Sequence, residues 1–139
     1  VLVDGPNLTT EIMKATDQAN IDMALDSVGG DTFGRLANSL SHGGTLVAYG
    51  VLSGKPANLN TAITIFKDIR IRGFWLSKWY EEATRAEIKE TFEKIIPLII
   101  TGAMKADIDS RFSLDEISEA VSRAAQPGRN GKVLILPNG

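Results

Sequence analysis

Short apolar runs alternate with segments of helical periodicity along the 139-residue chain. Strands are predicted at residues 1–3, 21–28, 43–50, 68–75 and 132–136. The segment "GGTLVAYG" (43–50) is continuously apolar from Leu46 to Ala48, which is typical of a buried parallel strand. Strands interleaved with helices predict an α/β fold, a partial Rossmann-type parallel sheet in a single layered domain. Right-handed crossovers would place helices on both faces of that sheet.

Helices are predicted between these strands, at residues 8–18, 31–40, 60–66, 85–101 and from 113 to 124. Asp31 is expected to cap the second helix, whose apolar stripe consists of Phe33, Leu36, Ala37 and Leu40. Capping boxes at Thr84–Glu87 and Ser113–Glu116 predict where the last two helices begin. The β-branched residues of 60–66 leave a strand open as the alternative there. Asp107 and Asp109 are expected to lie in a solvated connection.

The composition excludes several classes of protein. The 15 basic and 17 acidic residues are scattered and nearly cancel, which argues against an electrostatic nucleic-acid surface. The apolar run "IIPLII" is far shorter than the about 18 residues of a membrane span. The sequence has no cysteine and a single histidine, so a transition-metal site is not predicted. That histidine, His42, is better explained by helix capping than by catalysis.

Candidate chemistry lies where the predicted strands end. The stretches "DSVGG" (26–30), "YGVLSG" (49–54) and "GFWLS" (73–77) each combine a strand end with glycine or a small polar residue. Ligands of open parallel sheets bind at the carboxyl ends of strands, and glycine lets a ligand approach the backbone. A tight turn is the alternative for each stretch taken alone. The sequence contains no G-x-G-x-x-G motif and no Walker loop, so the residues alone predict only a ligand-binding edge.

Four motifs taken together resemble a known family. "ALDSVGGDTF", "GGTLVAYGVLSG", "IRGFWLSKW" and "GKVLIL" are similar in order and spacing to the zinc-independent medium-chain dehydrogenase/reductase superfamily. The most discriminating stretch, "RGFWLSKW", resembles the mitochondrial-type 2-enoyl thioester reductases. The resemblance implies a parent enzyme that uses NADPH to reduce the 2,3 double bond of trans-2-enoyl thioesters on coenzyme A or acyl carrier protein.

The resemblance also implies which part of the parent is present. Residues 1–139 correspond to the C-terminal portion of its Rossmann-like cofactor domain, without the first strands and the glycine-rich loop. The chain opens on "VLVDG", a predicted strand already in progress, which fits a segment of a longer protein. We therefore expect this chain alone to be inactive, with no catalytic residue and no metal ligand of its own.

Cofactor contacts are implied by the resemblance at three places. The stretch that lines the nicotinamide is matched by Tyr49, Gly50, Val51 and Leu52. The stretch whose backbone meets the carboxamide is matched by Phe74, Trp75, Leu76 and Ser77. Lys132 matches a lysine that reaches the cofactor, and a solvated lysine before a strand is the alternative.

Other functions stay open at this point. A quinone or alkenal reductase of the same superfamily is the nearest alternative, because substrate selection rests mainly on the absent catalytic domain. A non-catalytic interaction module is the second, since an exposed strand invites pairing with a copy of itself. A homodimer through the strand near Arg70–Phe74 is compatible with both enzyme and module. No nucleic-acid or membrane partner is expected, and the compartment would be the bacterial cytoplasm or the mitochondrial matrix.

Overall fold

The computed structural model describes residues 2–126 and 129–137, which form two compact units, 1–82 and 83–139. The first unit contains α1 (Leu8–Ala15), β1 (Met23–Asp26), α2 (Gly30–Ser39), β2 (Thr45–Ala48), α3 (Thr61–Phe66), β3 (Arg70–Gly73) and α4 (Leu76–Glu82). The second contains α5 (Arg85–Ile100), β4 (Ile108–Ser113), α6 (Ile117–Ala125) and β5 (Lys132–Leu136). The predicted α/β class is confirmed, and residues 60–66 are helical rather than extended.

The sheet of the first unit is parallel, with β2 between β1 and β3. The last residues of the three strands, Asp26, Ala48 and Gly73, lie side by side in register. Every strand therefore ends at the same edge of the sheet. This places the turn after β1, the loop after β2 and the segment after β3 next to one another.

The core of this unit forms between α2 and one face of the sheet. Phe33, Ala37 and Leu40 of α2 are buried against Leu46 of β2, as the predicted stripe requires. Lys67 stabilises the carboxyl end of α2, because its ammonium donates to the carbonyl oxygens of Asn38 and Leu40 at 2.8 and 3.0 Å. The helix is thus tied both to the sheet and to the chain that enters β3.

The second unit contains a parallel pair, β4 and β5. One sheet was predicted, but the described strands form two. The reason is that β5 pairs with β4, which lies in the segment that the sequence predicted to be a solvated connection. Gly131 allows the approach of these strands, since a Cβ there would clash with the carbonyl of Asp107. The capping box at Thr84–Glu87 is confirmed: the Thr84 hydroxyl accepts from the Glu87 N–H, and the Glu87 carboxylate accepts from the Thr84 N–H.

Three local predictions were wrong. Leu2 and Val3 are not in a strand, and Val1, the first residue of that predicted strand, lies outside the described residues. Gly29, not Asp31, is the N-cap of α2, because the turn before the helix bends through glycines with positive φ. The Ser113–Glu116 box is only half formed. Glu116 accepts from the Ser113 N–H, but Ser113 is the last residue of β4 and α6 begins at Ile117.

An ion pair that the sequence did not predict ties β4 to α6. The Asp109 carboxylate accepts from Arg123 Nε at 2.7 Å, and the Asp109 side chain is only 8% exposed. The Arg123 guanidinium holds the pKa of Asp109 at about 2, well below its ordinary value. A carboxyl with a lowered pKa stabilises the folded state above its unfolded pKa of about 3.9. That contribution is lost as the pH falls towards 2.

Asp109→Asn should therefore lower the urea midpoint of unfolding at neutral pH and have a progressively smaller effect below about pH 4. Arg123 keeps its hydrogen bond to Gln126 but loses the negative charge of its buried partner, so the loss should exceed that for an exposed charge. The measurement is a series of urea denaturations of both proteins between neutral pH and about pH 2.5. Asp115→Asn, at an exposed position in the same unit, is the matched control. An Asp109→Asn effect that stays constant across this range would contradict the assignment.

Candidate functional site

The turn after β1 and the loop after β2 are joined by a row of backbone hydrogen bonds. The N–H groups of Tyr49, Leu52 and Ser53 donate to the carbonyls of Asp26, Ser27 and Val28, each at 2.9 Å. Residues 49–53 are therefore not a free loop. Their backbone is positioned by the last residue of β1 and the two residues that follow it.

Gly50 is the point of closest approach between the two segments. A Cβ at this position would lie 2.8 Å from the carbonyl oxygen of Ser27, closer than real side chains come. Glycine is needed here for lack of space rather than for an unusual φ angle. The sequence predicted that glycine at this strand end lets a ligand approach the backbone, whereas the structure places the backbone of Ser27 against Gly50.

Apolar side chains project from this fixed backbone into solvent. Val51 is 75% exposed and Leu52 is 82% exposed, and Tyr49 is also exposed. Exposed aliphatic residues on an ordered loop beside a strand edge are typical of a surface that contacts a ligand or another part of a protein. The sequence-predicted set Tyr49, Gly50, Val51 and Leu52 is thus held together as one short surface.

The second predicted set follows β3. The Phe74 N–H donates to the carbonyl of Ala48 at 2.8 Å, which carries the β2–β3 pairing one residue beyond the strand. Trp75 is 68% exposed, and α4 begins at the next residue, so Leu76 and Ser77 lie in its first turn. Tyr49 directly follows Ala48 in the chain. The structure therefore brings the stretches 49–52 and 74–77 to adjacent positions at one edge of the sheet.

A groove of about 600 Å³ lies beside this edge. Its lining includes the aromatic residues Phe74, Trp75 and Trp79 and the charged residues Arg72, Lys78 and Glu82. Lys78 and Glu82 form an exposed ion pair at 3.5 Å, which contributes little to stability. The volume is within the range of small-molecule sites, and its aromatic walls offer surface for stacking.

Lys132 belongs to the second unit. It is the first residue of β5, its side chain is exposed, and its N–H donates to the carbonyl of Asp107 at 2.7 Å. Its predicted contact with a cofactor stays a prediction.

Sequence reasoning included Asp26 in the candidate stretch 26–30 but assigned no role to its side chain. Asp26 is 1% exposed, and its carboxylate accepts from the N–H groups of Val28 and Gly29 at 3.2 and 2.9 Å. The sequence contained a signal for this turn. An aspartate whose carboxylate can accept from the backbone N–H groups two and three residues later, with glycines at the end of the turn, is typical of an Asx turn.

Within residues 2–126 and 129–137, no three His, Cys, Asp or Glu side chains are grouped so that they could hold a metal ion. Across the same ranges, every helix is too short or too polar to cross a membrane.

Known proteins with related sequences are reductases. The chain is 34% identical over 120 residues to a mitochondrial enoyl-(acyl-carrier-protein) reductase of Dictyostelium discoideum, a match that covers 86% of this chain and 34% of that protein. The chain thus spans about a third of the length of the curated relatives it matches.

Solved structures have the same fold. A protein assigned as an NADPH:quinone reductase from Bacillus thuringiensis superposes with a TM-score of 0.70 at 29% identity, covering 91% of this chain and 38% of that one. The mitochondrial 2-enoyl thioester reductase heterodimer from Candida tropicalis superposes with a TM-score of 0.65 at 22% identity, covering 84% of this chain and 33% of that one.

The family model described as "Zinc-binding dehydrogenase" matches residues 2–135. Since that range spans nearly the whole chain, the chain belongs to this family of medium-chain dehydrogenases/reductases.

Proposed function

We propose that this chain is the C-terminal portion of the cofactor domain of an NADPH-dependent reductase of trans-2-enoyl thioesters. The longer protein to which it would belong is here called the full-length protein. One observation carries the proposal: the stretches 49–52 and 74–77 lie side by side at the carboxyl edge of a parallel sheet. That edge is where parallel α/β sheets bind ligands. The names of the relatives at 32–34% identity supply the reaction class.

The proposed work of this chain is to bind and orient the nicotinamide. Bound NADPH supplies a hydride, and the chain's own residues decide where the nicotinamide ring lies. Exposed Val51 and Leu52 would cover the ring and exclude water from it, and the backbone that follows β3 would hydrogen-bond its carboxamide. Lys132, the first residue of β5, would supply a positive charge to polar atoms of the cofactor. The donor set of the described residues does not fit a zinc ion, and no step is assigned to one.

A quinone reductase of the same family is the second candidate. It is favoured by the structural likeness at 29% identity to the Bacillus thuringiensis protein. Both candidates use the same cofactor edge and differ in the residues around the acceptor, most of which would lie in the catalytic domain. The printed names of the relatives favour a mitochondrial location for the full-length protein, and the bacterial cytoplasm is the alternative that follows from the sequence resemblance.

A dimer through β3 completes the proposal. β3 is an edge strand of its sheet, and all four of its residues are exposed. An exposed edge strand readily pairs with a second copy. The Candida tropicalis relative is described as a heterodimer. A homodimer here would set two copies of β3 against each other and keep both Phe74–Trp75 segments near the interface.

Purified full-length protein should consume NADPH with a trans-2-enoyl-coenzyme A substrate much faster than with a quinone. The spectrophotometric rate of NADPH oxidation with each acceptor, at matched concentrations, measures this. A higher kcat/KM for the quinone would favour the second candidate. No NADPH oxidation with either acceptor would contradict the proposed enzyme class.

Gly50→Ala in the full-length protein should raise the Kd for NADPH by about tenfold. The added methyl group must push residues 49–52 away from Ser27, and overpacking of this kind costs about 1–3 kcal/mol. A fluorescence titration of NADPH gives the Kd. Gly5→Ala is the matched control, since a Cβ at Gly5 meets no atom within 4 Å. An unchanged Kd for NADPH in Gly50→Ala would show that residues 49–52 do not contact the cofactor.

Ile71→Lys should convert the full-length dimer to a monomer, because a charge in the middle of an edge strand opposes strand pairing. Sedimentation velocity distinguishes the two masses. Ile65→Lys makes the same change at an exposed isoleucine of α3, outside every strand of the sheet, and should leave the dimer intact. A dimeric Ile71→Lys protein would rule out β3 as the interface.

A further inference from the structure

We infer that Asp26 is a positioning residue for the cofactor edge. The effect of Asp26 on cofactor binding rests on the proposed function, whereas its effect on residues 49–53 rests on the geometry of the first unit. The side chain is buried at the end of β1, and both carboxylate oxygens are used: Oδ1 accepts from the Val28 N–H and Oδ2 from the Gly29 N–H.

The two hydrogen bonds determine the path of the turn after β1. Gly29 and Gly30 have φ angles of 75° and 57°, a conformation in which the chain reverses towards α2. The carboxylate holds the N–H groups of Val28 and Gly29 on the inner side of this turn. The carbonyls of Ser27 and Val28 are then directed outwards, where they accept from Leu52 and Ser53 at 2.9 Å.

The side chain of Asp26 thus acts on residues 49–53 through the turn. It makes no described hydrogen bond to those residues, and only its backbone carbonyl accepts directly from Tyr49. If the turn relaxes, two of the three bonds that position the loop lose their acceptors. Because Gly50 packs against Ser27 with no room for a side chain, even a small movement of the turn would displace the loop.

Other residues nearby do not replace this role. Asp31 lies in the first turn of α2, where it is exposed and accepts from the Asn58 side chain. Ser53 Oγ accepts from the Lys55 N–H and shapes the far end of the loop. Among the described residues of this edge, Asp26 is the buried charged group.

Asp26→Asn is the decisive variant. It keeps the size of the side chain and one acceptor oxygen, but its amide group faces an N–H donor and cannot accept from it. We expect amide hydrogen exchange at Leu52 and Ser53, measured by NMR on the 139-residue chain, to become at least about tenfold faster. In the full-length protein, the Kd for NADPH should rise by about tenfold with a smaller change in kcat for the saturated enzyme.

Two controls separate positioning from stability. Asp22→Asn makes the same chemical change at an exposed position just before β1 and should leave both measurements unchanged. Phe33→Leu destabilises the core under the same sheet and should lower the Tm without raising the Kd for NADPH at temperatures well below it. Asp26→Ser, whose hydroxyl can accept one of the two bonds, should give intermediate exchange and an intermediate Kd.

The outcomes are distinct. Wild-type exchange rates at Leu52 and Ser53 in Asp26→Asn would overturn the inference whatever the cofactor result. Faster exchange with an unchanged Kd would also overturn it, because the loop would then have no role in binding. Failure of the wild-type full-length protein to bind NADPH would instead overturn the proposed function, and the exchange rates would still decide the role of Asp26 in holding the loop.

Discussion

The hydrogen bonds between the turn after β1 and the loop after β2 are the constraint on which the site depends. They connect Asp26, Ser27 and Val28 to residues 49–53, and the close approach of Gly50 leaves no room for a different path. The parallel register brings β3 to the same edge, so the backbone of Phe74 continues the pattern by donating to Ala48. Three separate segments of sequence therefore form one surface, and its shape is determined mainly by backbone groups.

This arrangement suits the orientation of a flat cofactor ring. Backbone donors and acceptors on strand ends move little, because the sheet and the buried face of α2 hold them. Exposed apolar side chains on a fixed backbone can contact a ligand without first becoming ordered, which lowers the entropic cost of binding. The resemblance of the motifs predicts cofactor contacts at residues 49–52 and 74–77, and the structure brings these two stretches to one edge of the sheet.

Local signals predicted much of the fold. The capping box at Thr84, the apolar stripe of α2 and the apolar run of β2 each depend on residues close in sequence, and each was recognised correctly. β4 was missed because its polar residues, including Asp109, look solvated until the partner Arg123 is found 14 positions later. The adjacency of residues 49–52 and 74–77 followed from the rule for parallel strands. The role of Asp26 did not follow, since burial of a carboxylate depends on the tertiary structure around it.

The most direct test is a crystal structure of the full-length protein with bound NADPH. We predict that the nicotinamide ring lies within van der Waals distance of Val51 or Leu52 and that its carboxamide is hydrogen-bonded to the backbone between Phe74 and Ser77. The backbone N–H groups of Leu52, Ser53 and Phe74 should still donate to the carbonyls of Ser27, Val28 and Ala48, respectively. A nicotinamide bound away from this edge, with these two stretches facing solvent or another protein surface, would contradict the account.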